Sequence, residues 1–427
     1  MTHSASQAPP HGALHRLLGH PTDLAGHIET HGPLQVASRG EASWRAALMT
    51  SLEASGLAGR GGGGFPSSIK LGVVGAAGAG GTIVINGMES EPASDKDKLL
   101  LLRAPHLVLD GAQYLAAVCR ASRIVMCIPA GRDTVAVAVR HAITERRTAR
   151  YARVAEEMVR PPDGFVSGEE SALVNFIERG LSLPVFRPDK GSPLRIGRCA
   201  ALVHNTETLA HIALIARHGH EPFRARGMAE EPGTCLVTIG GAVARPGVVE
   251  VDRGVPLCDI VALGTPVDSP QAYLVGGYGG TWVAPPHFAT PYASMSLRTI
   301  GATAGVGVIV VLGPAACGVA ESARITRYLA GQSAGQCGPC VYGLPAVADD
   351  LALLARGSAD GGLMARLHRR LGEIRGRGAC RHPDGAVNLV ASALNVFAAD
   401  VDAHLAGTPC ARSHAPTSLR FPQAVAI

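Results

Sequence analysis

Residues Gly59–Lys70 read GRGGGGFPSSIK, and Thr82–Asp97 read TIVINGMESEPASDKD. The first stretch sets four consecutive glycines between two cations, Arg60 and Lys70. Bare backbone N–H groups and positive charge there suit an anion, above all a phosphate. Phe65-Pro66 closes the loop with a rigid platform on which an aromatic ring can stack. In the second stretch, the β-branched run Thr82–Ile85 predicts a strand whose end delivers Asn86, Glu89 and Glu91. An α/β sheet presents a phosphorylated cofactor to its polar anchors in this way. The loop is not a P-loop, because the Gly-Lys-Ser/Thr ending is absent. A glycine run alone also describes a linker, and three polar residues after a strand also describe a solvated loop.

Outward from this stretch the chain alternates strand and helix. Glu41–Gly56 has Trp44, Leu48 and Leu52 at helical spacing. Lys98–Val118 reads as a helix broken or restarted at Pro105, Arg123–Ile128 as a strand and Asp133–Thr148 as a helix, which implies parallel βαβ units. Gly168-Glu169-Glu170 falls at a strand-to-helix turn, where paired acids also serve as caps. Ala201–Ala216 is expected to be helical, with His204–Thr208 at its start. Composition shifts near Gly227. Cys235–Val251 then reads as a hairpin around Arg245-Pro246-Gly247, within a small mixed-β domain ending near Leu312. From Gly318 to about His404 the pattern is helical.

A chain of 427 residues with 47% hydrophobic and 17% charged residues has room for several domains and a large core. The net charge of +5 comes without a Lys/Arg block interleaved with aromatics, which argues against nucleic acid and suits docking with an acidic protein. No apolar run reaches the ~18 residues of a membrane span, and no signal peptide is read at the N-terminus. Ten cysteines without a secretory signal point to a reducing compartment, the cytoplasm. Cys119, Cys127, Cys199, Cys235, Cys258 and Cys317 read as small core residues, and Cys410 as incidental to a Pro/Ser/Arg-rich tail. The early histidines, residues 3, 11, 15, 20, 27 and 31, lack a metal spacing.

Cys337-Gly338-Pro339-Cys340, with Cys380 downstream, has three readings. A thioredoxin-like dithiol is disfavoured because no thioredoxin-like strand precedes it. A zinc site would take His382 as fourth ligand. An iron–sulfur cluster would draw thiolates from the two loops.

Together these motifs resemble the NADH-binding flavoprotein subunit of respiratory complex I and its relatives, the diaphorase subunits of NAD-linked hydrogenases and formate dehydrogenases. The resemblance runs from about Gly56 to His404. The family's glycine loop resembles GRGGGGFPSSIK, and its Asn-Ala-Asp-Glu-x-Glu-Pro signature resembles Asn86–Pro92. Its Gly-Glu-Glu-Thr-Ala-Leu signature resembles Gly168–Leu173, and its Asn-Asn-Val-Glu-Thr-Leu signature resembles His204–Leu209. The resemblance implies an α/β fold in three parts. A Rossmann-like flavin and nucleotide domain would occupy 41–228, a β-grasp-like domain 229–312, and a C-terminal helical bundle with a cysteine cluster site 313–406. A flexible lead-in (1–40) and a tail (407–427) would flank them. It implies FMN held by Gly59, Arg60, Gly62, Gly64, Lys70, Asn86, Glu89, Gly168, Glu169, Asn205 and Thr208. It further implies NAD(H) or NADP(H) stacked on the flavin, with Phe65 near the adenine and Glu91 and Glu170, the catalytic candidates, near the nicotinamide. Cys337, Cys340 and Cys380 would be the cluster ligands.

The sequence departs from the family at particular positions. The family's acidic residue is Met88 here, the first Asn of its pair is His204, and an aromatic after Arg187 is Lys190. These changes bear on the nucleotide more than on the flavin, and a lysine there would favour a 2′-phosphate. The cluster pattern Ser-Cys-Gly-x-Cys-x-x-Cys reads Ser333-Ala334-Gly335-Gln336-Cys337-Gly338-Pro339-Cys340, so one cysteine is missing. Three thiolates still hold a three-iron cluster, or a four-iron cluster with His382 or Asp384 as fourth ligand; a vestigial site without cluster is the other outcome. The expected function is that of a soluble flavoprotein oxidoreductase moving electrons between NAD(P)H, FMN and an iron–sulfur cluster or ferredoxin-like partner, with any membrane complex reached through that partner. The alternative is a non-catalytic cofactor-binding or assembly scaffold.

Overall fold

The computed structural model describes residues 16–36, 42–76, 78–187, 192–417 and 419–422. Lys190 lies outside the described residues.

The first sheet has the order β3-β2-β1-β5-β4, with β1 Thr82–Asn86, β2 Arg123–Cys127, β3 Glu156–Val159, β4 Leu194–Ile196 and β5 Cys199–Asn205. Its pairings are parallel except for β4, which runs antiparallel to β5. Ile83, Val84 and Ile85 of β1 are completely buried. Ile83 and Ile85 join one apolar cluster and Val84 another, so both faces of the sheet are covered. That is why this strand is a continuous apolar run rather than an alternating one. On one face the helix Pro105–Cys119 lies against the helix Thr206–His218 so closely that a Cβ on Gly111 would sit 2.0 Å from the Leu209 carbonyl oxygen.

From β1 the chain moves to β2 and β3 on one side. It then returns to place β5 on the other side of β1. The strand order therefore reverses between β1 and β5, where open α/β sheets bind ligands outside the carboxyl ends. Asn86 and Asn205, the last residues of the two strands, are direct neighbours in register.

The structure corrects the helix expected over Ala201–Ala216. Ala201–His204 belong to β5, and the helix begins at Thr206. The apolar run is buried beside β1, and Asn205 ends it by accepting the Glu207 N–H at 3.0 Å as an N-cap.

The lead-in, expected to be flexible, is folded over its described part, residues 16–36. A helix at Leu24–His31 buries His27 against Asp110 at 2.9 Å, Leu17 is fully buried, and its N–H donates to Glu250. Of its described histidines, His27 is paired with Asp110, and His20 and His31 pack ring against ring; residues 3, 11 and 15 lie outside the described residues. The tail is likewise docked over 407–417 and 419–422. Leu419 is buried, Arg420 pairs with Asp95 at 2.6 Å, and Phe421 packs against Tyr278 and Tyr328.

The second sheet has the order β7-β6-β10-β8-β9, with β6 Thr234–Gly241, β7 Gly247–Asp252, β8 Ala272–Val275, β9 Thr281–Val283 and β10 Val308–Leu312. The hairpin β6–β7 is antiparallel and β10 pairs parallel to β6. The helix Leu257–Leu263 covers one face. The other face, through Leu274, Trp282 and Val310, joins the core of the C-terminal helices Gly318–Gly331, Leu344–Ala355, Leu363–Ile374 and His382–Val396. The Trp282 indole N–H donates to Ser322 at 2.9 Å across this boundary. No single helix among the described residues is long and apolar enough to cross a membrane.

Candidate functional site

The glycine loop follows the helix Ala42–Ser55 and leads into the helix Ser67–Ala76. Two bonds lock it in place: the Arg60 N–H donates to Thr208 Oγ1 at 2.9 Å, and the Gly59 N–H to the Phe65 carbonyl at 2.9 Å. Gly62 (φ +102°) and Gly64 (φ +59°) adopt backbone conformations that side chains resist. A Cβ on Gly63 or Gly64 would meet nothing within 4 Å, so the outer face of the loop is open. The loop borders a cavity of about 350 Å³ shared with Glu207, Arg253 and Tyr292, a volume within the range of ligand sites.

Beside the loop, the Lys70 ammonium donates to the Val203 carbonyl at 2.7 Å and forms an ion pair with Glu170. Glu170 opens the helix Glu170–Arg179, whose N-cap Glu169 accepts the Ser171 and Ala172 N–H groups. The Asn86 amide donates to the Gly168 carbonyl at 2.9 Å, which joins the end of β1 to this turn.

Several expected cofactor contacts are committed elsewhere. The Arg60 guanidinium is buried, donates to the Thr234 carbonyl of β6 at 3.0 Å and lies 3.9 Å from Glu207; its Nε has no hydrogen-bond partner. Glu89 (φ +39°) caps the helix Lys96–Arg103 by accepting the Asp97 and Lys98 N–H groups and the Ser94 hydroxyl. Glu91 is buried and accepts the N–H groups of Tyr278, at 2.9 Å, and Ala93. Burial pushes both carboxyls up to about 7, with Asp97 adding to the effect at Glu89. Glu91 is thus a tie between the loop after β1 and the loop that joins β8 to β9 in the second sheet. Phe65, by contrast, is 53% exposed and available for stacking.

Beneath the strand ends lies a charged floor that sequence reasoning missed. Lys96 is fully buried and donates to Asp97 at 2.8 Å and Asn205 at 3.3 Å, with Glu207 at 2.9 Å. Burial works against the ammonium, but the two carboxylates outweigh it and hold it above its ordinary range. The Asn205 amide donates back to Asp97 at 2.7 Å. The signal was there: charged residues inside otherwise apolar helical stretches. His204 is buried and held neutral by desolvation and the nearby Lys70, and its Nε2 has no hydrogen-bond partner.

A second cavity, of about 880 Å³, lies outside the carboxyl ends of β1–β3. Met88, Glu89, Arg132 and Phe165 form one wall; Tyr328 and Arg420 belong to the other. The loops meet the helical region here: the Phe165 N–H donates to Gln332 at 3.1 Å, and the Phe165 ring lies 5.3 Å from that of His382.

Cys337 and Cys340 lie where the chain turns into the helix Leu344–Ala355; the Cys337 carbonyl accepts the Cys340 and Val341 N–H groups. Cys340 is buried, and burial together with neighbouring Cys337 and Cys380 pushes its thiol up to about 12. Cys380 accepts the His382 N–H and has Glu169 among its electrostatic neighbours. His382 Nε2 is bound to the Leu329 carbonyl and its Nδ1 has no hydrogen-bond partner, whereas Asp384 is held by Gly376 and Arg381.

The residues fit both groups. The open glycine cradle and Lys70 suit a flavin phosphate, and three thiols from two loops suit a cluster.

Comparison with known proteins agrees with this layout. Residues 52–214 match the Nuo51 FMN-binding domain, and residues 320–404 the iron–sulfur binding region of NADH-ubiquinone oxidoreductase-F. The F subunit of the NADH-quinone oxidoreductase of Streptomyces coelicolor is 25% identical over 378 residues, covering 85% of this chain and 84% of that protein. The F 2 subunit of the corresponding Rhizobium meliloti oxidoreductase is 27% identical over 377 residues, covering 85% and 90%. Among solved structures, a chain of an NAD+-reducing NiFe-hydrogenase in the H2-reduced state superimposes with a TM-score of 0.79 at 28% identity. The match covers 84% of this chain and spans 63% of the hydrogenase chain.

Proposed function

Starting from the chain's membership in the family of NADH-binding FMN and iron–sulfur subunits found in complex I and NAD+-reducing hydrogenases, we propose that it exchanges electrons between a nicotinamide dinucleotide and an iron–sulfur protein. One juxtaposition carries this reading. Phe165, in the turn that leads to Gly168 and the helix cap Glu169, donates its N–H to Gln332 at 3.1 Å and sets its ring 5.3 Å from His382, two residues after Cys380, so the turn bordering the cradle packs on the cysteine-bearing region.

In this reading Gly62–Gly64 and Lys70 hold the flavin phosphate, and Asn86, Gly168 and Asn205 fix the loops around the ring. Lys96 supplies buried positive charge beneath them. Phe65 offers a stacking face to the nucleotide. Glu91, through Tyr278, sets the distance between the sheet and the β-grasp-like domain. Cys337, Cys340 and Cys380 hold the cluster. When bound, FMN accepts two electrons together and releases them singly, which is the step a one-electron cluster requires. The partner is an iron–sulfur protein of the ferredoxin type, and any membrane complex is reached through it.

Anaerobic purification with flavin and iron analysis tests the reading. Yellow-brown protein bleached by NADH or NADPH is expected. Protein that stays colourless after reconstitution with FMN, iron and sulfide would overturn it.

A further inference from the structure

Two cysteines assigned above to the core and to the tail, Cys317 and Cys410, come together around a buried histidine. Cys317 Sγ lies 3.7 Å from His404 Nε2, and the three ligand atoms of Cys317, His404 and Cys410 all fall within 4.8 Å of one another. We propose that these residues form a second metal site, separate from the Cys337–Cys340–Cys380 cluster, that takes a borderline-soft divalent ion of the zinc type.

The distances suit such an ion. Tetrahedral zinc with Zn–S of about 2.3 Å and Zn–N of about 2.0 Å puts sulfur and nitrogen about 3.6 Å apart. The histidine is oriented for the role. Its Nδ1 lies 3.1 Å from the Leu354 carbonyl, which fixes the proton there and leaves the Nε2 lone pair facing the sulfurs. A backbone acceptor behind a ligand histidine has this effect in metal sites generally. The Cys410 N–H also points at Nε2, at a long 3.4 Å.

Burial pushes the Cys317 thiol up, so the ion's own charge must drive its deprotonation, and two local features assist it. Cys317 is the N-cap of the 14-residue helix Gly318–Gly331, and its sulfur accepts the Ala320 N–H at 3.5 Å. Negative charge is favoured at that end of a helix. Arg412 lies against the Cys410 thiol and is itself held by Asp400 at 3.1 Å and Gln271 at 2.9 Å. On binding, the two thiol protons leave to solvent, the two thiolates balance the divalent charge, and no electron is transferred. Cys410 is half-buried, whereas Cys317 and His404 are buried.

The site joins three separate segments: the start of the helical region, its last helix Ala398–Leu405, and the C-terminal segment. That segment continues to Arg420, Phe421 and Pro422, which line the 880 Å³ cavity. The metal would therefore clip one wall of that cavity in place.

The test measures zinc, iron and FMN together in the full-length protein purified in reductant, after equilibration with a slight excess of zinc chloride and desalting. About one zinc per chain is expected, with a loss of at least about tenfold in Cys410→Ser and Cys317→Ser and unchanged flavin and iron. Cys340→Ser should lose iron and keep zinc. Zinc absorption fine structure should show two sulfurs and a nitrogen, and limited proteolysis should cut the C-terminal segment faster in Cys410→Ser. Because Cys410 is half-buried, its variant reads the site even if Cys317→Ser misfolds. Equal zinc in wild type and Cys410→Ser, or a Cys317–Cys410 disulfide in protein purified with reductant, would overturn the proposal.

Discussion

Lys70 and Glu170, a hundred residues apart in sequence, form an ion pair at the edge of the glycine loop, with Lys70 anchored on the Val203 carbonyl of β5. The cation expected to meet a phosphate is thus already positioned, and its partner carboxylate is half-exposed and free to yield. Lys70→Met should weaken FMN binding at least about tenfold, equivalent to ~1.4 kcal/mol, without changing the circular dichroism. Flavin fluorescence titration checks this. Equal affinity in the variant would remove Lys70 from the phosphate site.

The glycine loop has a narrow tolerance. At Gly62, with φ +102°, an added Cβ would also press on Val306 at 3.3 Å. Gly62→Ala should cost about 1–2 kcal/mol of backbone strain and show it as lost FMN affinity with little change in melting temperature. A variant that binds flavin normally would show that the loop tolerates a different conformation.

Restoring the cysteine absent from the cluster motif gives a gain-of-signal test. Ala334→Cys should raise iron toward four per cluster and yield a four-iron resonance after reduction, as expected for four thiolate ligands. Iron content and electron paramagnetic resonance on anaerobic protein read the result. No added iron would show that residue 334 is out of register with the three sulfurs.

Glu91 makes a pH prediction. Burial raises its carboxyl from 4.5 to about 7, so the folded protein holds this proton more tightly than the unfolded chain does. Its contribution is fully favourable below about pH 4.5, is lost as pH rises toward 7, and is flat above that. Glu91→Gln removes this fall. The variant loses one backbone acceptor at every pH, but its stability relative to wild type should improve by about 3 kcal/mol between pH 4.5 and 8. Urea melts across that range measure it. A difference independent of pH would show that Glu91 is ionised throughout.

A buried ion network holds the lead-in. Asp110 accepts from His27 at 2.9 Å and Arg146 at 2.8 Å and pairs with Arg217, all close to fully buried. Asp110→Asn leaves Arg217 without its carboxylate and Arg146 with Glu156 alone, and should cost about 3–5 kcal/mol. Thermal melts, together with faster proteolysis within residues 16–36, would show it.

The sequence was most legible where a short stretch contains its own physical reason. Thr82–Ile85 is β-branched and apolar, and it is the central strand. Asp133–Thr148 has clear helical spacing, and it is a helix with those limits. Ala201–His204 was misread because a buried parallel strand and a buried helix share one apolar pattern, and only its pairing with β1 distinguishes them. The motifs located the site, but they could not say which side chains face a ligand. Glu89 and Glu91 look like free anchors in sequence, yet they spend their oxygens on backbone N–H groups of an adjacent helix and a distant loop; Glu169 caps its helix, as paired acids at a helix start can. Cys317, His404 and Cys410 have no readable spacing, because only the packing of the C-terminal segment brings them together.

The bond between the Arg60 N–H and Thr208 spans 148 residues of sequence, and the bond between the Tyr278 N–H and Glu91 spans 187. The short-range lock, Gly59 to Phe65, can close as soon as the loop has been made, whereas the latch on Thr208 and the tie from Glu91 to Tyr278 close only after 148 and 187 further residues have followed.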